Sequence, residues 1–379
     1  MRIIVFGGAG DVGSLAVEEL ASTSDVEQVT IADRAALVAE SIATRLGDGV
    51  DTLTIDAMDH RAVVEAMRGY DVAASALGPF YIFEERLVRA ALEAGVDYVS
   101  ICDDWTAANT VLGKFDDRAR AANRTIVTGV GASPGLTNIA ARHLAHGLDS
   151  VEHIDISVYQ PLDAGGGSAV LDHMIFIMTG EPQIWRNGEA ANIPACSVKR
   201  RVEFPRYGHI WLWNMGHAEP VTLPQTFPDL KACGFFMGYG GGSRLLVGPA
   251  RLGLFNGRRR RGLSLWLLEQ IERYSRPEEP AEGAIRVDVL GKLRGKPVHR
   301  TACGVGAMRE ATAIPLAVGT LLVGRGQTVV RGGVLPADAA FDTDVFIDGV
   351  QDRGIEAYED ISMTRRIGTK RCAAGRCVG

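Results

Sequence analysis

Paired cysteines, broad basic surfaces and membrane-length apolar runs are all missing from this 379-residue chain. Its six cysteines, Cys102, Cys196, Cys233, Cys303, Cys372 and Cys377, include no C-x-x-C pair, and a chain of this length needs no disulfide frame. Reduced thiols in the cytoplasm are the expectation. A formal net charge of −6 leaves no basic excess for a nucleic-acid surface. Arg258–Arg261 is a local exception. Its plainer reading is the solvated start of a helix over GLSLWLLEQIERY; the sharper one is a docking point for an anionic partner or membrane. The longest nearly uncharged run, the 14 residues ATAIPLAVGTLLVG, falls short of the ~20 that span a bilayer. No membrane partner is expected, and the apolar N-terminal residues belong to a first strand rather than to a cleavable leader. There is no fixed-period repeat, and no Walker, G-x-S-x-G or H-E-x-x-H motif. His143 and His146 lie three apart on a helix without a third ligand in register, so no metal is expected.

What is present is an alternation of short apolar strands with amphipathic helices through the first 130 residues. RIIVF, VEQVTIA, DTLTI, DVAASAL, DYVSI and TIVTGV read as six strands; DVGSLAVEELAS, LVAESIATRLG, HRAVVEAMRG, FEERLVRAALEAG and ANTVLGKFDDRARAA read as the helices between them. Such a pattern implies right-handed crossovers and a parallel doubly wound sheet, with its ligand crevice at the C-terminal strand ends.

The first strand runs directly into VFGGAGDVG, a G-x-G-x-x-G formed by Gly8, Gly10 and Gly13, with Ala9, Asp11 and Val12 between them. Gly8 suits the tight turn, Gly10 the approach of a pyrophosphate, and Gly13 close helix–strand packing, while the helix N-terminus offers amides to the phosphates. Asp33 ends the second strand 20 residues after Gly13 and suits the adenosine ribose hydroxyls. That carboxylate favours NAD; the adjacent Arg34 keeps NADP open as the cofactor.

Later strand ends point at the same crevice. Gly78-Pro79-Phe80 would present backbone and an aromatic edge to the nicotinamide, or is simply a turn. Cys102, Asp103 and Asp104 follow the fifth strand: two carboxylates beside a thiol are candidates for acid–base work or for gripping an amine, and one aspartate could equally cap the next helix. GASPGLTN carries Ser133 and Asn138 at another helix start, where amides could hold a substrate group or merely begin a helix.

From about 150 to 310 the alternation stops. VEHIDISVYQ, QIWRNGEAANI, RRVEF, HIWLW and IRVDVLGKLRGKPVHRTACGV read as an antiparallel sheet with hairpin turns near Asn187-Gly188 and Arg294-Gly295, one face on helices. LDAGGGSAVLDHMIFIMTG places glycines before a helix carrying His173, an adaptable loop at the cleft mouth. NMGHAEPVTLP holds His217 and Glu219 among turn residues. His217 could shuttle protons, although the composition of the stretch favours a surface loop.

GGAGDVG, ADR, DVAASALGPF, AGVDYVSICDD and GVGASPGLTNIAA, in this order, resemble the saccharopine dehydrogenase-like oxidoreductases, a group that includes saccharopine reductase, carboxynorspermidine dehydrogenase and lysine 6-dehydrogenase relatives. GGVLPADAAFDTDVFIDGVQDRGI resembles the closing segment of that family. The resemblance covers residues 1 to 145 and 311 to 356 and is thin between them. It implies an α/β fold: a Rossmann domain over 1–130, an inserted α+β substrate and dimerisation domain with a mainly antiparallel sheet over 131–310, a return segment over 311–361 completing the first domain, and a basic tail over 362–379, read as disordered. It also implies a homodimer.

The same resemblance implies hydride transfer at a carbon–nitrogen bond of an amino-acid- or polyamine-like metabolite, with a small amine or carbonyl compound as partner. Carried onto this chain, the nucleotide loop falls on Gly8, Gly10 and Gly13, the ribose acid on Asp33, the nicotinamide turn on Gly78 and Pro79, and the substrate-side strand end on Cys102 and Asp103. Asp103, with His217 or Cys102, is expected to move the proton; Phe80, Asp104, Ser133, Asn138, His173 and Glu219 are expected around the substrate. The substrate-binding arginines of the lysine-pathway members have no secure counterpart. Two other functions remain open at this stage: a dehydrogenase of an alcohol or aldehyde, such as an amino sugar or semialdehyde, and an NAD(H)-binding sensor or scaffold without turnover.

Overall fold

The computed structural model describes residues 1–161, 167–255, 262 and 282–368. The Arg258–Arg261 run, the GLSLWLLEQIERY stretch beyond its first residue, two of the three glycines before His173, and residues 369–379 with Cys372 and Cys377 lie outside the described residues.

β1 (Arg2–Phe6), α1 (Asp11–Ala21), β2 (Gln28–Asp33), α2 (Ala36–Leu46), β3 (Val50–Thr54), α3 (His60–Met67), β4 (Val72–Ser75), α4 (Phe80–Ala94), β5 (Asp97–Ser100), α5 (Trp105–Ala121) and β6 (Thr125–Thr128) follow one another in strict alternation. The strands pair in the order β3-β2-β1-β4-β5-β6, every pair parallel. Both faces of this sheet are covered over its centre, so β1, β4, β5 and β6 are buried on both faces, whereas the edge strand β3 exposes Asp51, Thr52 and Thr54. Ile3 and Val5 point into one core with Val17, Leu20 and Leu321, while Ile4 and Phe6 point into another with Met67, Leu87, Val111 and Phe115. The strand order reverses between β1 and its neighbours β2 and β4, which opens the crevice where the doubly wound arrangement binds ligands.

The chain then leaves through α6 (Leu136–Ala145) into a second sheet. Its elements are β7 (Ser150–Tyr159), α7 (Gly167–Ile177), β8 (Gln183–Arg186), β9 (Glu189–Asn192), β10 (Lys199–Phe204), β11 (Gly208–Asn214), α8 (Glu219–Thr222), β12 (Ala232–Gly238), α9 (Ser243–Arg251), β13 (Glu282–Leu293) and β14 (Lys296–Ala307). The order is β10-β11-β12-β7-β13-β14, with the β8–β9 hairpin attached to β12. The sheet is mixed rather than wholly antiparallel: β12, which no sequence signal marked, lies parallel to β7 in its centre. Ile154, Ile156, Val287 and Val289 on its inner face join Ile139 and Leu144 of α6 in the core shared with the first sheet. The outer face carries paired charges instead: Asp155 accepts from Arg200, and Asp288 accepts from Arg286, His299 and Thr301.

The chain returns through α10 (Met308–Gly324), whose residues from Ala313 to Val323 are buried. The apolar run ATAIPLAVGTLLVG is therefore a core helix, packed on α1 and beneath β4 and β5. β15 (Gly333–Pro336) adds a seventh parallel strand beside β6, followed by α11 (Ala337–Ala340) and α12 (Thr343–Gln351). No helix among the described residues is long and apolar enough to cross a membrane.

Candidate functional site

The glycine loop joins β1 to α1 at the crevice. Gly7 holds φ +74°, and its carbonyl accepts the Gly10 amide at 3.0 Å. A Cβ on Gly13 would lie 2.1 Å from the Gly7 oxygen, so only glycine lets α1 start this close to the turn. No side chain caps α1, which leaves its first-turn amides facing the crevice, the arrangement that holds a phosphate. Gly8 and Gly13 are buried, Ala9 and Val12 half-buried, and Gly10 and Asp11 exposed to an approaching ligand. Asp33 stands over the loop: Oδ2 accepts from the Ala9 amide at 3.1 Å and Oδ1 from the Ala35 amide at 3.0 Å, with Arg34 exposed beside it. Arg309 of α10, which the sequence did not point out, donates to the Asp11 carbonyl at 2.9 Å and to Ser14 Oγ at 3.2 Å, tying the start of α1 to the returning chain. These residues fit a nicotinamide dinucleotide: open helix amides for its phosphates and a fixed carboxylate for its ribose. Gly78 and Pro79 form the turn after β4, with Pro79 at the N-cap of α4 and Phe80 buried behind it.

A polar cluster gathers beyond β5 from three separate parts of the chain. Asp103 follows β5, His173 comes from α7, His217 comes from the turn between β11 and α8, and Glu219 opens α8. Asp103 Oδ2 is 3.1 Å from His173 Nε2 and 4.0 Å from His217 Nε2. His217 Nδ1–H donates to Glu219 Oε2 at 2.5 Å, and the other Glu219 oxygen accepts from Ser133 Oγ and, at 2.9 Å, from Thr137 Oγ1. The His217 ring lies flat on Phe235 of β12, with centroids 3.8 Å apart. The expectation of a surface loop over NMGHAEP is thus corrected: His217 is 5% exposed and Glu219 is fully buried. Two polar residues can be buried here because each finds its partners within the cluster.

These surroundings set the charges. Burial alone would push the Glu219 carboxyl up, but His217 and the Ser133 and Thr137 hydroxyls hold it below its usual range. Burial would lower the His217 imidazole, yet the adjoining Glu219 carboxylate raises it, so the two form an ion pair. Asp103 is pushed up by burial against the pull of both histidines. Its Oδ1 is buried with no hydrogen-bond partner.

The remaining expected residues fall elsewhere. Cys102 points into the core, with Sγ 3.9 Å from the Asp104 carbonyl, and burial drives its thiol well above the ordinary range. Asp104 is the N-cap of α5, accepting from the Thr106 and Ala107 amides. Asn138 is buried below the site, donating to Asp338 at 2.8 Å and to Thr222 at 3.1 Å. Of the acids and imidazoles expected around the reaction, the structure brings together Asp103, His173, His217 and Glu219, with Ser133 beside them. It adds Thr137 and Phe235. Thr137 lies inside the quoted GASPGLTN stretch, but nothing local marks it; Phe235 lies in the unforeseen β12.

Behind the cluster, fully buried Glu84 of α4 accepts from Tyr98 Oη at 2.9 Å, Ser100 Oγ at 2.6 Å and Thr128 Oγ1 at 3.0 Å. One carboxyl so joins the ends of β5 and β6. Burial pushes it up, against the hydroxyls that hold it down.

Residues 3–127 match the family described as the saccharopine dehydrogenase NADP binding domain. Carboxyaminopropylagmatine dehydrogenase of Synechocystis is 26% identical over 258 residues, 62% of this chain. Carboxynorspermidine synthase of Vibrio cholerae is 24% identical over 258 residues, again 62% of this chain. In each case the match spans only 62% of the relative's own length. Among solved structures, apo saccharopine dehydrogenase (L-Glu forming) of Saccharomyces cerevisiae superposes with a TM-score of 0.68 at 14% identity, covering 94% of this chain and 99% of that one. Homospermidine synthase of Legionella pneumophila in complex with NAD gives 0.60 at 14% identity, covering 95% and 91%. These two likenesses concern the fold.

Proposed function

We propose that this chain, whose residues 3–127 match the saccharopine dehydrogenase NADP binding domain, is an NAD(P)-dependent oxidoreductase acting at the carbon–nitrogen centre of a small amino-acid- or polyamine-like metabolite. The observation that carries this reading is the Asp103–His217–Glu219 arrangement beyond β5, on the same crevice as the glycine loop. The dinucleotide supplies or accepts the hydride. Gly8, Gly10 and Gly13, with Ala9, Asp11 and Val12, hold its phosphates, Asp33 its ribose, and Gly78 and Pro79 its far end. The Asp33 carboxylate repels a 2′-phosphate and favours NAD over NADP.

The protein's own part is proton handling. A nitrogen held by the Asp103 carboxylate and His217 Nε2 gains or loses its proton as the carbon beside it changes oxidation state. Glu219 orients the His217 ring and compensates its charge, and Ser133 and Thr137 fix Glu219. His173 sits against Asp103 and bounds the nitrogen position from α7, and Phe80 packs with Cys102 and Ala107. Cys102, with its buried thiol, and Asp104, committed to capping α5, serve through the shape of the strand end. The four cysteines in the described residues are free. The outer face of the mixed sheet is where the expected homodimer would form.

The test is NADH and NADPH oxidation over a matrix of amines paired with keto acids and aldehydes. Turnover that needs both an amine and a carbonyl is expected; turnover with a carbonyl alone would replace this reading by alcohol formation. Asp103→Asn should lower kcat by about 10²–10⁴, the usual worth of a positioned acid–base group, with the Kd for NADH unchanged. Full turnover in that variant would remove Asp103 from the chemistry.

A further inference from the structure

We propose that Asp103, His173 and His217 also form a binding site for one divalent cation of the zinc class. Its location coincides with that of the reacting nitrogen in the reading above, on which this part of the inference rests, so cation and amine exclude each other.

The donor atoms of the three residues all lie within 4.8 Å of one another. A tetrahedral cation with bonds of about 2.0–2.1 Å wants donors roughly 3.3 Å apart. Asp103 Oδ2 and His173 Nε2 are already 3.1 Å apart, and His217 Nε2, at 4.0 Å from the same oxygen, needs to close by under an ångström.

The cluster is also under-satisfied. Asp103 Oδ1 and His173 Nε2 are buried without a hydrogen-bond partner. Buried polar atoms are nearly always paired, so two without a hydrogen-bond partner in one cluster leave it room for a further partner. The outer arrangement is that of a metal-binding histidine: Nδ1–H of His217 is engaged by the Glu219 carboxylate, itself held by Ser133 and Thr137, which fixes the ring with Nε2 on the Asp103 side, where a bound cation would displace the Nε2 proton.

Two imidazoles with one carboxylate suit Zn²⁺ or Co²⁺; Mg²⁺ and Ca²⁺ want oxygen donors. Three protein ligands leave a fourth position for water. No sequence motif could announce this site, because its ligands come from a strand end, a helix and a turn far apart in the chain.

The test is titration of the metal-stripped full chain with Co²⁺, read by its visible d–d bands. One equivalent bound with the intensity of a tetrahedral site is expected. His173→Ala should abolish it. Glu219→Gln, which touches no metal, should weaken binding about 10–100-fold, as removal of an outer carboxylate does. Retained NADH binding and melting temperature in both variants show that they fold. Absence of the bands, or a Co²⁺ affinity unchanged in His173→Ala, would overturn the site. With turnover established, Zn²⁺ should raise the KM for the amine and leave kcat unaltered. Noncompetitive inhibition would overturn the shared position and leave the cation site standing. Failure to find any turnover would sink the proposed function without touching the cobalt result.

Discussion

Gly13→Ala and Gly10→Ala should separate what the glycine loop does for the fold from what it does for the cofactor. The added Cβ at Gly13 meets the Gly7 oxygen at 2.1 Å, the Gly7 carbonyl carbon at 2.9 Å and Gly8 Cα at 2.9 Å. Relief needs a backbone movement of about an ångström, and neither side is free to give. Gly7 is pinned by its own amide on the Ala32 carbonyl and by the Gly10 amide on its oxygen, while α1 is packed against α10. Overpacking costs about 1–3 kcal/mol, and a clash with backbone on both sides belongs at the upper end. At ~2–4 °C per kcal/mol for a domain of this size, the melting temperature should fall by roughly 6–12 °C.

At Gly10 the added Cβ has one neighbour, the Gly7 oxygen at 3.2 Å, and φ is −75°. That variant should melt within about 2 °C of the parent yet bind NADH at least ~10-fold more weakly, because the methyl takes the space of the pyrophosphate. Thermal melts without cofactor and fluorescence titrations with NADH give both numbers. A Gly13→Ala variant that melts and binds like the parent would refute the reasoning, as would a Gly10→Ala variant that loses stability but keeps affinity.

Asp33→Ser should raise the Kd for NADH about tenfold, ~1.4 kcal/mol, while leaving that for NADPH unchanged; an equal loss for both would mean that Asp33 serves only the loop. Glu84 binds its proton more tightly in the folded chain than in the unfolded one, so its contribution to stability is full below its ordinary value of 4.5 and lost as pH rises through the raised folded value. Melting curves of Glu84→Gln should therefore gain on those of the parent as pH increases above 4.5, and a pH-independent difference would contradict this. Asp338→Ala removes the acceptor for Asn138 and Thr226. It should cost about 1–3 kcal/mol, the penalty for stranding buried donors, measured by urea unfolding; no loss would show that the link between α6 and the return segment bears no strain.

The nucleotide half was readable because its determinants are local. The inner strands of the first sheet are short apolar runs, each helix between them is amphipathic, and the glycines and Asp33 sit at fixed offsets from strand ends. The second sheet was readable wherever a turn announced it, as at Asn187-Gly188 and Arg294-Gly295. β12 was not, because ACGFFMG is buried on all sides and interrupted by glycines whose role is non-local: a Cβ at Gly238 would stand 2.5 Å from the Trp211 carbonyl. His217 and Glu219 read as residues of an exposed loop for the same reason. What makes them buriable, Ser133, Thr137, Asp103 and Phe235, lies in other segments, and no periodicity within NMGHAEP encodes those partners. Asp103 and Asp104 were indistinguishable by type; only the backbone turn decides that one caps α5 and the other faces His217.

The seventh strand has a consequence for synthesis. β6 is finished at Thr128, but the strand that covers its outer edge is Gly333–Pro336, and α10, which closes one face of the sheet, is complete only at Gly324. At ~5–20 residues per second, β6 would wait on the ribosome for roughly 10–40 s with its edge unpaired. An exposed parallel edge beside an uncovered apolar face is a surface on which nascent chains associate. The emerging protein is therefore most dependent on chaperones while residues 129–336 are being made, and a fragment cut after β6 should aggregate even though every residue of the glycine loop is present.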